Sequence, residues 1–189
     1  MIKINIKRKV IILLAIATLI SIVNASVFVY YPVTLTIRPQ EPPVVFHEGT
    51  NAGKPDLRGN KITVNIGNEG TSLEITVHPT LQKNYYYDIA KIVNQDNNDN
   101  VYYIKFRVTN PITDDGVVNA SLIIRDTNDH YLIDLKTTGL QPNNNWISLQ
   151  ASGELHVDLY LELSDYPGNE VSVSVDLIIT TTGTAETPP

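Results

Sequence analysis

Four histidines, His47, His78, His130 and His156, are the first residues to weigh for catalysis or metal binding. Imidazole titrates near neutral pH and is a common metal ligand. These four fall in a linker, at a strand end, in a turn and on the polar face of a strand, and they read as isolated surface residues. No two stand at metal-ligand spacing, and the sequence holds no GxSxG, HExxH or glycine-rich phosphate loop. The reading is therefore of a non-enzyme, with no catalytic residue, metal ligand or cofactor assigned. With no cysteine in the chain there are no thiolate ligands or disulfides, and the redox compartment stays open. Oxygen-rich clusters occur at Asp96, Asn98, Asp99 and Asn100 and at Asp126, Asn128 and Asp129. Calcium favours such hard ligands, but the first cluster lacks the glycine and distal glutamate of an EF-hand loop. Asx turn chemistry explains both clusters without an ion. Asn119-Ala120-Ser121 is a candidate N-glycosylation sequon, provided Asn119 faces solvent.

The N-terminus carries a different kind of signal. Lys3, Lys7, Arg8 and Lys9 precede an apolar run over residues 10–23, and Val23-Asn24-Ala25 places small or aliphatic residues before a cut. This reads as a Sec-type signal peptide over residues 1–25. The competing reading is an uncleaved anchor over residues 10–31. Cleavage would remove four basic residues from 14, leaving 10 Lys and Arg against 20 Asp and Glu, a net charge of −10. That balance argues against a nucleic-acid partner, which needs a basic face. The membrane is then met only during secretion, and the destination is extracellular or the cell surface.

Residues 26–37, SVFVYYPVTLTI, alternate with period two. Val27, Val29, Tyr31, Val33, Leu35 and Ile37 share one face, and Phe28, Tyr30, Pro32, Thr34 and Thr36 the other. Two readings fit: a donor strand that completes a neighbouring subunit, or the first strand of this chain's own sandwich. Periodicity cannot say whose groove a strand fills. Residues 38–60 are rich in Pro and Gly and read as a spacer, reaching about 75 Å if fully extended, with a short strand at 44–46.

The body, residues 61–180, reads as strand after strand: 61–66, 72–77, 85–93, 101–109, 117–125, 131–136, 146–150, 154–163 and a last one from Val171. Turn clusters such as GNEGT, NQDNNDN and DTNDH separate them. The pattern over 102–108 puts Tyr102, Ile104, Phe106 and Val108 inward. That over 155–163 does the same for Leu155, Val157, Leu159, Leu161 and Leu163. Helical periodicity is absent outside the signal, and residues 181–189 form a disordered Thr/Pro tail. The fold class is all-β: a single β-sandwich or jelly roll of about ten strands, with the extended N-terminal strand ahead of it.

A signal, an alternating apolar arm and a cysteine-free β body rich in Tyr, Asn and Thr together resemble extracellular filament subunits. The nearest likeness is to archaeal bundling pilins and thread proteins, related in fold to TasA-like matrix fibre subunits. The resemblance implies donor-strand complementation, in which the arm of one jelly-roll subunit enters the next. The donor role would fall on Val27, Val29, Tyr31, Val33, Leu35 and Ile37. Pro32 departs from an ideal donor because it lacks an amide N–H. The implied partner is a further copy of the chain, joined head to tail, with lateral bundling of filaments. The rival function is a monomeric surface sandwich that binds carbohydrate through Tyr30, Tyr103, Tyr160 and Trp146.

Overall fold

A computed structural model of the chain describes residues 5–23, 30–143, 145–168 and 170–183, with main chain only at 19–23. The chain divides into two compact units, Met1–Pro39 and Gln40–Pro189.

The first unit contains α1 (Ile6–Val23). Asn5 opens it: its carbonyl accepts from the Arg8 amide at 2.9 Å and its side chain from the Lys7 amide at 3.3 Å. Both bonds satisfy donors that have no partner within the first helical turn. No helix among the described residues is long and apolar enough to cross a membrane. Residues 30–38 belong to no strand. Tyr31, Val33, Leu35 and Ile37 are 77–90% exposed, whereas Val27 and Val29 lie outside the described residues.

The second unit is all-β and built from antiparallel sheets. A five-stranded sheet has the order β1-β4-β10-β6-β7, from β1 (Val44–Glu48), β4 (Gln82–Asn94), β6 (Val117–Arg125), β7 (His130–Asp134) and β10 (Glu154–Leu163). A second sheet is centred on β5 (Tyr102–Asn110). One edge of β5 pairs with β11 (Ser174–Thr180), the other with β8 (Gly139–Gln141) and β9 (Ile147–Leu149). A separate hairpin joins β2 (Thr63–Gly67) to β3 (Ser72–Thr76) through a 3-10 turn at Asn68–Gly70.

Alternation sets what each strand buries. Ile104 and Val108 of β5 have no exposed surface, nor has Ile92 of β4 or Ile124 of β6, and all four belong to one cluster that fills the space between the sheets. Ile62 and Val64 of the hairpin region join Ile89, Leu159 and Leu161 in a second cluster. Within the stretch expected as spacer, Val44 and Val45 are buried and β1 pairs with β4 in the register Val45 to Val93. The loop after β1 is tied down as well, by Gly49 N to Ile89 O at 3.1 Å and Asn51 N to Asp88 O at 3.1 Å. Only residues 38–43 remain ahead of β1, a tether of about 20 Å at full extension.

Candidate functional site

An apolar groove opens along the body, with a cavity of about 610 Å³. Leu73 and Ile75 of β3 line one wall, and Val173, Val175, Leu177 and Ile179, in and just before β11, line the other. Phe46, Ile92, Phe106, Val157 and Leu159 contribute to its floor. The sequence puts the apolar residues of β11 inward, and they do face the groove. They are nevertheless only half-buried, with Ile179 39% exposed, and Leu73 and Ile75 are half-buried too. The cause is local: β11 pairs only with β5, and β3 only with β2, among the described residues. Each therefore leaves one edge of backbone N–H and C=O groups without a strand partner, the usual template for adding a strand.

A polar network sits on the other side of the five-stranded sheet. Between the pairs Val157–Ala90 and Leu159–Tyr86, β10 spends one residue and β4 spends three. The resulting bulge places Asp88 at a positive φ of 46° and draws Asp158 in to zero exposure. Asp tolerates that left-handed backbone better than most residues. Asp158 receives Arg125 in bidentate fashion, from Nε at 2.6 Å and a second guanidinium nitrogen at 3.0 Å. The Asp88 amide donates to it at 2.7 Å, and the Tyr85 hydroxyl donates as well. Burial alone would raise the Asp158 pKa, but the hydrogen bonds from Arg125 and Tyr85 outweigh it and hold the carboxyl below its usual value. Burial and the Asp158 carboxylate push Tyr85 up to about 12. The Arg125 guanidinium also lies 4.4 Å from the Tyr87 ring centre.

His156 departs from the expectation of an isolated surface histidine. Its Nδ1 lies 2.6 Å from Asp88 Oδ1, while Thr50 donates to Asp88 Oδ2 from its amide at 3.1 Å and its hydroxyl at 2.6 Å. Burial works against ionisation of Asp88, yet the Thr50 and His156 contacts prevail and lower its pKa to about 2. The short His156–Asp88 contact needs the bulge, which alternation in the sequence does not announce. The one available sign was Asp88 standing in an otherwise apolar and aromatic run. Every oxygen of this cluster is engaged by a donor from the chain itself, so it acts as a clamp across β4, β10 and β6.

The other expected residues are dispersed. Asn119 is exposed on β6, opposite Glu162 of β10, and its Nδ2 donates to that carboxylate at 2.7 Å. A glycan would replace one of the two Nδ2 hydrogens and leave the other for this bond. Asp96 accepts from Asn98, Asn100 and Tyr102, and Asp126 Oδ1 caps the amides of Asn128 and Asp129 at 2.7 Å each. Their lone pairs are turned to turn-stabilising donors. Among the described residues, no three His, Asp or Glu side chains gather in a way that would hold a metal ion. Of the aromatics named for carbohydrate stacking, the three in the second unit are spread over different elements. Tyr103 lies on β5 and Trp146 just ahead of β9, with the Lys105 ammonium 5.0 Å from the Trp146 ring, whereas Tyr160 lies on β10 and bonds Glu162 at 3.1 Å. Compared with known proteins, the chain matches no family model and no curated protein.

Proposed function

We propose that this chain is the structural subunit of an extracellular filament, a jelly-roll sandwich that polymerises when residues 26–37 of one copy enter the groove of the next. The observation that carries this reading is the apolar groove lined by residues of β3 and β11, strands that each pair with a single neighbour among the described residues. The same chain carries a segment of matching chemistry: the described donor residues Tyr31, Val33, Leu35 and Ile37 are exposed and take part in no strand. A strand laid between β3 and β11 would hydrogen-bond along both edges and send alternate side chains onto the floor, the logic of β-augmentation. Each large apolar side chain so buried contributes about 1.5–3 kcal/mol. Because the groove and the strand are different surfaces of one chain, the contact is heterologous, and repeated without closing into a ring it yields a fibre.

The reading is tested by removing residues 26–37. The truncated chain should fold, fail to form fibres, and take up a synthetic 26–37 peptide. Electron microscopy of native secreted fibres decides the alternative. Density from Ile37 through Pro43 that turns back into the subunit's own sheet would refute strand exchange.

A further inference from the structure

A second pocket, of about 380 Å³, lies between the loop after β1 and the start of β4, and nothing in the filament reading uses it. Asp56, His78, Lys54, Lys83, Tyr85 and Tyr87 are among its lining residues. The loop is built to present Asp56. Asp56 Oδ1 accepts the amides of Arg58 and Asn60, each at 2.9 Å, and the Asp56 amide donates to Asn60 O at 2.7 Å. Lys54 Nζ donates to Asn51 Oδ1 at 3.0 Å, and Asn51 Nδ2 to the Tyr87 carbonyl at 2.7 Å, which fastens the loop to β4.

Asp56 Oδ2 is the anomaly. The side chain is only 4% exposed, and this oxygen has no hydrogen-bond partner. His78 Nδ1 stands 3.7 Å away, beyond hydrogen-bond distance, on an imidazole that is 48% exposed. A buried carboxylate oxygen that accepts no hydrogen bond requires an explanation. What it lacks is a donor, and both Asp56 and the exposed His78 line the pocket.

We propose that this pocket binds a neutral pyranose ring, a sugar hydroxyl donating to Asp56 Oδ2 while the ring's C–H face lies on Tyr85 or Tyr87. The chemistry of the lining selects that class. An ammonium ligand would meet Lys54 and Lys83, and an anion would meet Asp56, whereas a polyol both donates to the carboxylate and accepts from the lysines. The electron-rich face of a tyrosine suits the polarised C–H bonds of a sugar. Both rings are half exposed, at 53% and 50%, and both are held in place beforehand, Tyr85 through its hydroxyl on Asp158 and Tyr87 beneath Arg125. Preorganised rings lose little freedom on binding. The site also differs in residues and in place from the scattered aromatics Tyr103, Trp146 and Tyr160. It does not depend on filament assembly.

The test titrates the secreted chain with methyl glucoside, methyl mannoside and methyl galactoside, followed by calorimetry and saturation-transfer NMR. Methylammonium serves as the competing class. At least one glycoside should bind saturably, with signal strongest on its C–H face. D56N, which keeps the cap through its carbonyl oxygen, and Y87L should each weaken that binding about tenfold or more. Thermal melts check that both variants are folded. If D56N is not, Y87L alone decides. Absence of saturable binding by all three glycosides, undiminished binding in Y87L, or binding of methylammonium instead would each overturn the proposal.

Discussion

Replacing Asp158 by Ala removes the centre of the clamp on the five-stranded sheet. The side chain is fully buried and accepts from Arg125 twice, from the Asp88 amide and from the Tyr85 hydroxyl. Breaking a buried pair from one side costs about 3–5 kcal/mol, because the remaining charge is left without its partner. Here the Arg125 side chain is 23% exposed and can draw in some water, so the lower end applies, about 3 kcal/mol. For a domain of this size that lowers Tm by about 6–12 °C. Urea unfolding followed by Trp146 fluorescence should show a midpoint lower by roughly 1.5 M at an m-value near 2 kcal/mol/M. The double variant Asp158→Leu with Arg125→Met removes both charges and supplies apolar volume, so it should regain most of the loss. If D158A lies within about 1 kcal/mol of the parent, or the double variant is no better than D158A, the clamp does not hold the sheet as argued.

Asp88, lowered from 3.8 to about 2, contributes about 2 kcal/mol that is present above pH 4 and lost as pH falls towards 2; acid titration of urea midpoints should show the loss, and D88N should flatten it. At Gly49 an added Cβ would lie 2.1 Å from the Asp88 carbonyl oxygen, so G49A should cost about 3 kcal/mol or prevent folding, as read by Tm and circular dichroism. Val33→Asp or Leu35→Asp should abolish fibres in electron micrographs, whereas Thr34→Ser should leave them intact. N-terminal sequencing of the secreted protein should begin at Ser26, and a mature chain starting at Met1 would favour an anchor.

The central strands were legible because their alternation is uninterrupted: every inward residue expected for β5 and β10 is buried. Turn clusters located the hairpins for the same local reason. What escaped was whatever depends on register between distant segments. Asp158 reads as an ordinary polar-face residue of β10, and only the two extra residues of β4 opposite it reveal that it is enclosed. β8 has three residues, too few for a period to show, and it exists through pairing with β5. The Asp56 pocket needs the loop after β1 to fold onto β4, and Pro and Gly spacing in that loop carries no trace of the contact. The groove was half visible: alternation marks the apolar face of β11, while the single pairing of β3 and of β11 among the described residues is a fact of topology.

Under the proposed assembly, the open edges of β3 and β11 tie stability to concentration. Any strand that binds the folded body and not the unfolded chain acts as a stabilising ligand, adding about 2.7 kcal/mol when present at a hundred times its dissociation constant. If a second copy supplies that strand, as proposed, the body is at its weakest when dilute. On secretion, a lone copy would face proteases before a second one arrives, and crowding at the point of export would favour its survival over release into open water. In the proposed fibre, a strand supplied by each newcomer would protect the copy before it, leaving the last to arrive as the vulnerable end.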